Sequence, residues 1–513
     1  MSISFSEIPA DNLVPIFATE FDGSNATKSG AMPWKNLIIG QPLSSKMSSN
    51  GTLTRITSDE QADATFGYGS QLALMIKAFR KNTKNSELWA LPVADVASAA
   101  AAKGSVEFAV SSGKQNKDGE EILVVSGAIR FMVAGQACAV NVSADDTAKD
   151  IASKVVETVN AKENLPVTAA VSSGDESKVE LTAKNSGSNG NGIDVRWNHN
   201  QGEFLPEGLS IVKVDMANGG ADPSYADALV KATCEGTWFN TIVIGSDDPD
   251  NVNYIKEMLD ERWKATVQQT GVLFFSLNAG QTSDKKPRIP ELTDFIGRGE
   301  VTDSKAIVLA ALPKSPTTGY EKASALLGCV APKALNDPAR PLSNWGVAGV
   351  VAPKPEDREG MEGNNALLKA GCALMVSSDD GSVYTKRIVT TYKKNAAGAK
   401  DTAYMQLETV MTLSYLRWDW NNYLAVKYPN AKLADDGNKF GTGQVVMTPE
   451  LGKAELLSRY QLWMEKGLVQ NYEDFAANLV VTLDPDDPYA MQFLIPAHLI
   501  KQFFVGKSKI QFD

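Results

Sequence analysis

The stretch FNTIVIGSDDPDNVNYIKEMLDERWKATVQQTGVLFFSL (239–277) decides how the chain is read. FNTIVIG (239–245) and GVLFFSL (271–277) are continuous apolar runs of strand length. Between them Ile255, Leu259 and Trp263 recur at helical spacing. KAIVLAAL (305–312) repeats the apolar run. Strands that are apolar on both faces, alternating with helices, belong to a sheet covered on both sides.

Upstream, WKNLIIGQ (34–41), GSQLALMIKAFRKN (69–82) and ELWALPV (87–93) give a further strand, helix and strand. Downstream, GYEKASALLGCVA (319–331), ALLKAGCALMVS (366–377) and GSVYTKRIVTTY (381–392) complete the same region. The expectation is an α/β multidomain chain. Its central α/β domain comprises residues 31–95 and 201–395, interrupted by an inserted, mainly β domain at 96–200. The insert is read from GSVEFAV (104–110), IRFMVAG (129–135), QACAVNV (136–142) and KVELTAK (178–184), with one helix at 146–162. The loop NSGSNGNG (185–192) marks its far edge, because Gly and Asn permit tight reversal.

Residues 396–500 read as a separate α+β domain. Asp401 is the expected cap of a helix to about 427. Thr448, Pro449 and Gly467 have the cap, first-turn and terminator roles of a second helix. Trp418, Trp420, Tyr423, Tyr460 and Trp463 crowd these two helices. They suit either an aromatic core or an assembly face, where such rings desolvate well.

The ends are the unusual part. Residues 1–30 read as an arm and linker, with Ile3 and Phe5 alternating against serines. At 501–513, Phe504, Gly506, Ser508, Ile510 and Phe512 share one parity, and Lys507, Lys509 and Gln511 the other. A period of two is the signature of a strand. Two terminal strands need neighbours to pair with.

Length alone, 513 residues, implies more than one core. Fifty basic against 61 acidic residues, a net charge of −11, argue against general nucleic-acid affinity. No signal peptide or spanning segment is read, so no stable membrane insertion is expected. Cys138, Cys234, Cys329 and Cys372 are scattered, as reduced and partly buried thiols are. The sequons at Asn25, Asn50 and Asn141 carry little weight in such a protein.

Chemistry-bearing patterns are sparse. The two histidines, His199 and His498, form no zinc signature and adjoin no nucleophile elbow. His199 reads as a solvated loop residue and His498 as a structural or interface histidine. The carboxylate pairs Asp379–Asp380, Asp435–Asp436 and Asp486–Asp487 read as turn and helix-approach residues. GYG (67–69) and GTG (441–443) lack a full dinucleotide fingerprint. GNKFGTGQ (437–444) suits a surface or interface loop. No catalytic, cofactor-binding or metal-ligating residue is expected.

The order of these segments, with several long motifs, resembles the contractile tail sheath proteins of Mu-like bacteriophages. The motifs include VELTAKNSGSNGNGIDVRWN (179–198), LPEGLSIVKVDMANGGADP (205–223) and LDERW (259–263). Further on come RIVTTYKKNAAGAKDTAYMQLETVMTLSYLR (387–417), KYPNAKLADDGNKFGTGQVVMTP (427–449), EKGLVQNYEDF (465–475) and IPAHLIKQFFVGKSKIQF (495–512). The block at 278–300 resembles the family least. The resemblance implies a central domain of subtilisin-like fold without catalysis, and an inner, tube-facing domain at 396–500. It implies no cofactor, and a helical homo-oligomer of stacked, hexameric rings around a tail tube protein, with baseplate and tail terminator proteins as further partners. Such a protein would be assembled in the bacterial cytoplasm and reside in the virion.

By carry-over, Ile3, Phe5, Val505, Lys507, Ile510 and Phe512 are candidates for strands added to neighbouring subunits. Trp418, Trp420, Tyr423, Tyr460 and Trp463 are candidates for the inner interface. A headless contractile injection particle is the near alternative. An α/β hydrolase-like enzyme and a surface adhesion module are alternatives of other classes.

Overall fold

The computed structural model describes residues 32–47, 52–225, 236–278, 280–281 and 287–512. Ile3 and Phe5, Cys234 and the sequons at Asn25 and Asn50 lie outside them.

The apolar runs form one eight-stranded sheet. From edge to edge its strands are Val383–Arg387, Cys372–Ser377, Ile307–Ala311, Val272–Phe275, Thr241–Ile244, Asn36–Gly40, Leu88–Pro92 and Thr54–Ile56. The six inner strands are parallel and the two edge strands antiparallel. Every residue of Asn36–Gly40, Thr241–Ile244, Val272–Phe275 and Ile307–Ala311 is buried. Alternate residues serve opposite faces: Ile38, Val243, Phe274 and Val308 pack with the helices Gln71–Arg80 and Gly319–Asn336. Leu37, Ile242, Leu273 and Ile307 pack instead with Pro249–Trp263, Leu292–Val301 and Met361–Ala370. The poorly matching block at 278–300 thus contributes a covering helix, with Phe295 fully buried. Helices Gln71–Arg80 and Gly319–Asn336 meet at Gly328, where an added Cβ would stand 2.3 Å from the Phe79 carbonyl oxygen.

The insert has its own core under a four-stranded and a three-stranded sheet, beside helix Ala148–Ala161. Thr147 and Asp150 close that helix's capping box. The expected boundary at 200 falls short. Strand Leu209–Ala217 pairs antiparallel with Ala101–Val110, so the inserted sheet closes on residues after 200.

Asp401 does not cap the next helix. Its carboxylate accepts from Tyr392 Oη at 2.6 Å and from Ala403 N at 3.0 Å. The helix runs Leu407–Lys427, because Gln406 is held in a β-bridge with Val389. Leu407, Val410 and Met411 belong to the core of the central sheet, whereas Leu416 and Trp420 belong to the C-terminal core. One rod is therefore anchored in two bodies. Thr448 accepts from Leu451 N at 3.3 Å, Pro449 opens helix Pro449–Glu465, and Gly467 takes a φ of +69°, as their types demand. The last described strand, His498–Leu499, pairs with Val469–Gln470. Residues 500–512 form no strand within the chain.

Candidate assembly surfaces

An open α/β sheet binds ligands at the carboxyl ends of strands where the strand order reverses. Here that point lies between Asn36–Gly40 and Thr241–Ile244. The insert's own loop fills it. Asn185 Nδ2 donates to Pro42 O at 2.8 Å and Asn185 Oδ1 accepts from Gln71 N at 2.8 Å. Asn278 Nδ2 donates to Asn189 Oδ1 and to Gly245 O, both at 3.0 Å. Gln41 Nε2 donates to Asp95 Oδ1 and to Ser186 O, both at 2.7 Å. The segment expected at the far edge of the insert is thus its junction with the central domain. Amides were chosen by geometry there, since each side chain both donates and accepts.

Ionisable groups beside this junction are buried. Burial pushes the Asp247 carboxyl up and the Lys322 ammonium down to about 7. Lys322 Nζ sits 5.4 Å from the Phe295 ring centroid. Burial likewise raises Glu408 to about 7, although its Oε1 accepts from Leu342 N at 2.9 Å.

His199 is half-buried, not solvated: Nε2 lies 3.1 Å from Ala352 O, and burial followed by the Arg196 charge lowers its pKa. His498 Nε2 lies 2.5 Å from an Asp474 carboxylate oxygen, a local structural pairing. The acidic pairs hold backbone: Asp380 accepts from Ser382 N at 2.9 Å, Asp436 from Glu450 N at 2.8 Å, and Asp487 from Tyr489 N at 2.9 Å. Cys138, Cys329 and Cys372 are buried free thiols, the last pushed up to about 12 by burial. Among the described residues no helix is long and apolar enough to cross a membrane.

The aromatic candidates divide. Tyr460, Trp463 and Trp420 are interior and cannot present an assembly face, which corrects that assignment. Tyr460 stacks on Phe475 with ring centroids 3.6 Å apart, and its hydroxyl donates to Gln470 O at 2.7 Å. Trp463 Nε1 donates to Asp419 Oδ2 at 2.6 Å, and Arg459 Nε to the same oxygen at 2.6 Å. Trp418 and Tyr423 are half-buried; Tyr423 shares Glu455 with Lys427 and Tyr428.

The tail candidates are open. Val505, Ile510 and Phe512 are 63%, 87% and 93% exposed, and Lys507 is exposed too. The root of the tail is held by Gln502 Nε2 donating to Ala339 O at 3.0 Å and by Arg387 lying 4.7 Å over the Phe504 ring. NLVVTL (478–483) and MQFLIPA (491–497) read as strands in the sequence, and they form the hairpin Val480–Leu483 with Met491–Leu494. Val481 and Phe493 turn into the C-terminal core, while Val480 and Leu494 are 48% and 64% exposed. A two-stranded sheet is marginal by itself and here has no third strand among the described residues.

No family model matches the chain. It is 32% identical over all 513 residues, and over the full length of its counterpart, to the Mu-like prophage FluMu tail sheath protein of Haemophilus influenzae. The chain belongs to the Mu-like tail sheath proteins. Solved structures similar to this sheath chain include a sheath tail protein from Desulfitobacterium hafniense, at 12% identity and a TM-score of 0.44, covering 95% of this chain and 100% of that one. Another is a sheath tail protein from Listeria innocua, at 12% identity and a TM-score of 0.46, covering 93% and 95%. The sheath chain is a structural subunit of a contractile tail.

Proposed function

We propose that this sheath protein polymerises as stacked, hexameric rings around a tail tube and contracts to drive the tube through a host envelope. Baseplate and terminator proteins bound the cylinder at its ends. Residues 2–6 and 505–512 serve as strands added to neighbouring copies, and the hairpin Val480–Leu483 with Met491–Leu494 receives them. The observation that supports this is the presence, in one chain, of an unpaired tail with exposed Val505, Ile510 and Phe512 and of a two-stranded sheet with no third strand among the described residues. Strand addition supplies backbone hydrogen bonds, and alternate side chains set the register. A contact of this kind is heterologous, so it propagates as rings or helices. The domains at 396–500 then line the tube. The central body, whose ligand crevice its own insert fills, supplies bulk and body-to-body packing. Contraction energy resides mainly in that packing, with the arms as tethers.

Electron cryomicroscopy of the protein assembled with its tube tests this reading. Density for residues 505–512 beside Val480–Leu483 or Met491–Leu494 of another copy is the expected result. Both ends folded onto the parent subunit would refute it.

A further inference from the structure

A groove of about 790 Å³ runs between the central and C-terminal bodies. Its apolar lining includes Met32, Trp34, Pro332, Leu335, Tyr415 and Leu468, with polar residues such as Glu87, Asp337 and Lys466 beside them. Leu335 is 46% exposed on the outward side of helix Gly319–Asn336. The groove remains open with the C-terminal tail in place, since that tail's root is engaged at Ala339 and Arg387. What reaches the groove directly is the chain's own N-terminal side, because the first described residue, Met32, is part of its wall.

The residues before Met32 are not uniform. ATEFDGSNATKSGA (18–31) is mostly small or polar, whereas LVPIF (13–17) places four large apolar side chains around one proline. A tether of that composition has little to bury; LVPIF does. The residues between 17 and 32 can span up to about 50 Å, so LVPIF can return to any point on the rim. The entropic cost of closing such a loop grows only slowly with its length. Pro15 disfavours helix and biases the segment to an extended form, which suits a groove.

We propose that residues 13–17 of the same chain dock in this groove and anchor the root of the N-terminal arm. The arm then has two parts: a fixed root, and residues 1–12 projecting from a defined point on the surface. That reduces the conformational freedom lost when residues 2–6 meet a neighbour. The proposal refines the arm reading above, but it concerns the unassembled subunit and is tested there.

The test uses full-length, unassembled protein carrying Phe17→Cys with Leu335→Cys, oxidised at low concentration and mapped by peptide mass spectrometry. The control pairs Phe17→Cys with Val301→Cys, a site 80% exposed on a helix covering the opposite face of the sheet. The 17–335 link should exceed the 17–301 link by about tenfold. In a mixture of isotope-labelled and unlabelled chains it should form within one chain. Equal yields, no 17–335 link, or links formed only between chains would overturn the proposal. Independently, Leu335→Glu should speed hydrogen exchange at residues 13–17 about tenfold while helix Gly319–Asn336 keeps its protection; unchanged exchange at 13–17 would also overturn it. Neither result depends on whether cylinders form.

Discussion

Replacing Ile510 and Phe512 together by serine separates the subunit's stability from its assembly. Both side chains are almost fully exposed in the isolated subunit, at 87% and 93%. Removing them therefore deletes no native contact, and the unfolding free energy should move by less than about 0.5 kcal/mol. In an assembled sheet each would lose most of its exposed apolar surface, worth about 1.5–3 kcal/mol. Ordering the tail costs about 1–2 kcal/mol per residue, but that cost is common to wild type and variant and cancels in the comparison. The link between neighbours should thus weaken by about 3–6 kcal/mol, or roughly two to four decades in the concentration needed for polymerisation. The paired assays are thermal melting of the monomer and sedimentation of cylinders grown on tubes over a concentration series. A normal melt with a raised assembly threshold is expected. Cylinders forming at the wild-type threshold would show that the tail's apolar side chains are not buried between copies. Deleting residues 505–513 should likewise leave a folded, soluble monomer that does not assemble.

Other substitutions probe the cores. Lys322 has its folded pKa depressed to about 7, so the unfolded chain binds the proton first and stability should rise from pH 7 towards 10. Lys322→Met should stabilise by about 4 kcal/mol at pH 7, a gain that denaturant melts should show fading towards pH 10. Glu408 has the opposite sign: its folded pKa is raised to about 7, so stability falls as pH rises from about 4 to 7. Glu408→Gln should be neutral at pH 4 and stabilise by about 3 kcal/mol at pH 8, measured by the same melts. Gly328→Ala forces a Cβ against the Phe79 carbonyl and should cost about 1–3 kcal/mol, lowering the calorimetric melting temperature. Asn278→Ala strands the Tyr320 amide and the Asn189 side chain. It should cost about 2–4 kcal/mol in the same measurement.

The central body was largely legible because its strands are buried on both faces. A run such as VLFF or IVLAA then announces itself without knowledge of any neighbour. Local caps were legible too where one side chain serves one backbone amide, as at Thr448. Asp401 misled because an acidic residue before a helical pattern can also close a turn. The bridge from Val389 to Gln406, distant in sequence, decided which it did. The aromatic cluster was left between two readings for a similar reason. Tyr460 and Trp463 look alike as core or as interface until their partners, Phe475 and Asp419, are in place.

By itself the sequence determined the alternation of buried strands and helices, the separate composition of the insert, and the two-residue period of the tail. These follow from how one side chain meets its near neighbours along the chain. Tertiary structure alone decided that Asn185–Asn189 fill the crevice beside Gly245, that one helix is rooted in two cores, and that the insert's sheet closes on Leu209–Ala217. Each of those joins groups from about 20 to more than 100 residues apart. Polar amides and strand edges carry no label for a partner at that distance, because any complementary group of suitable geometry satisfies them equally well.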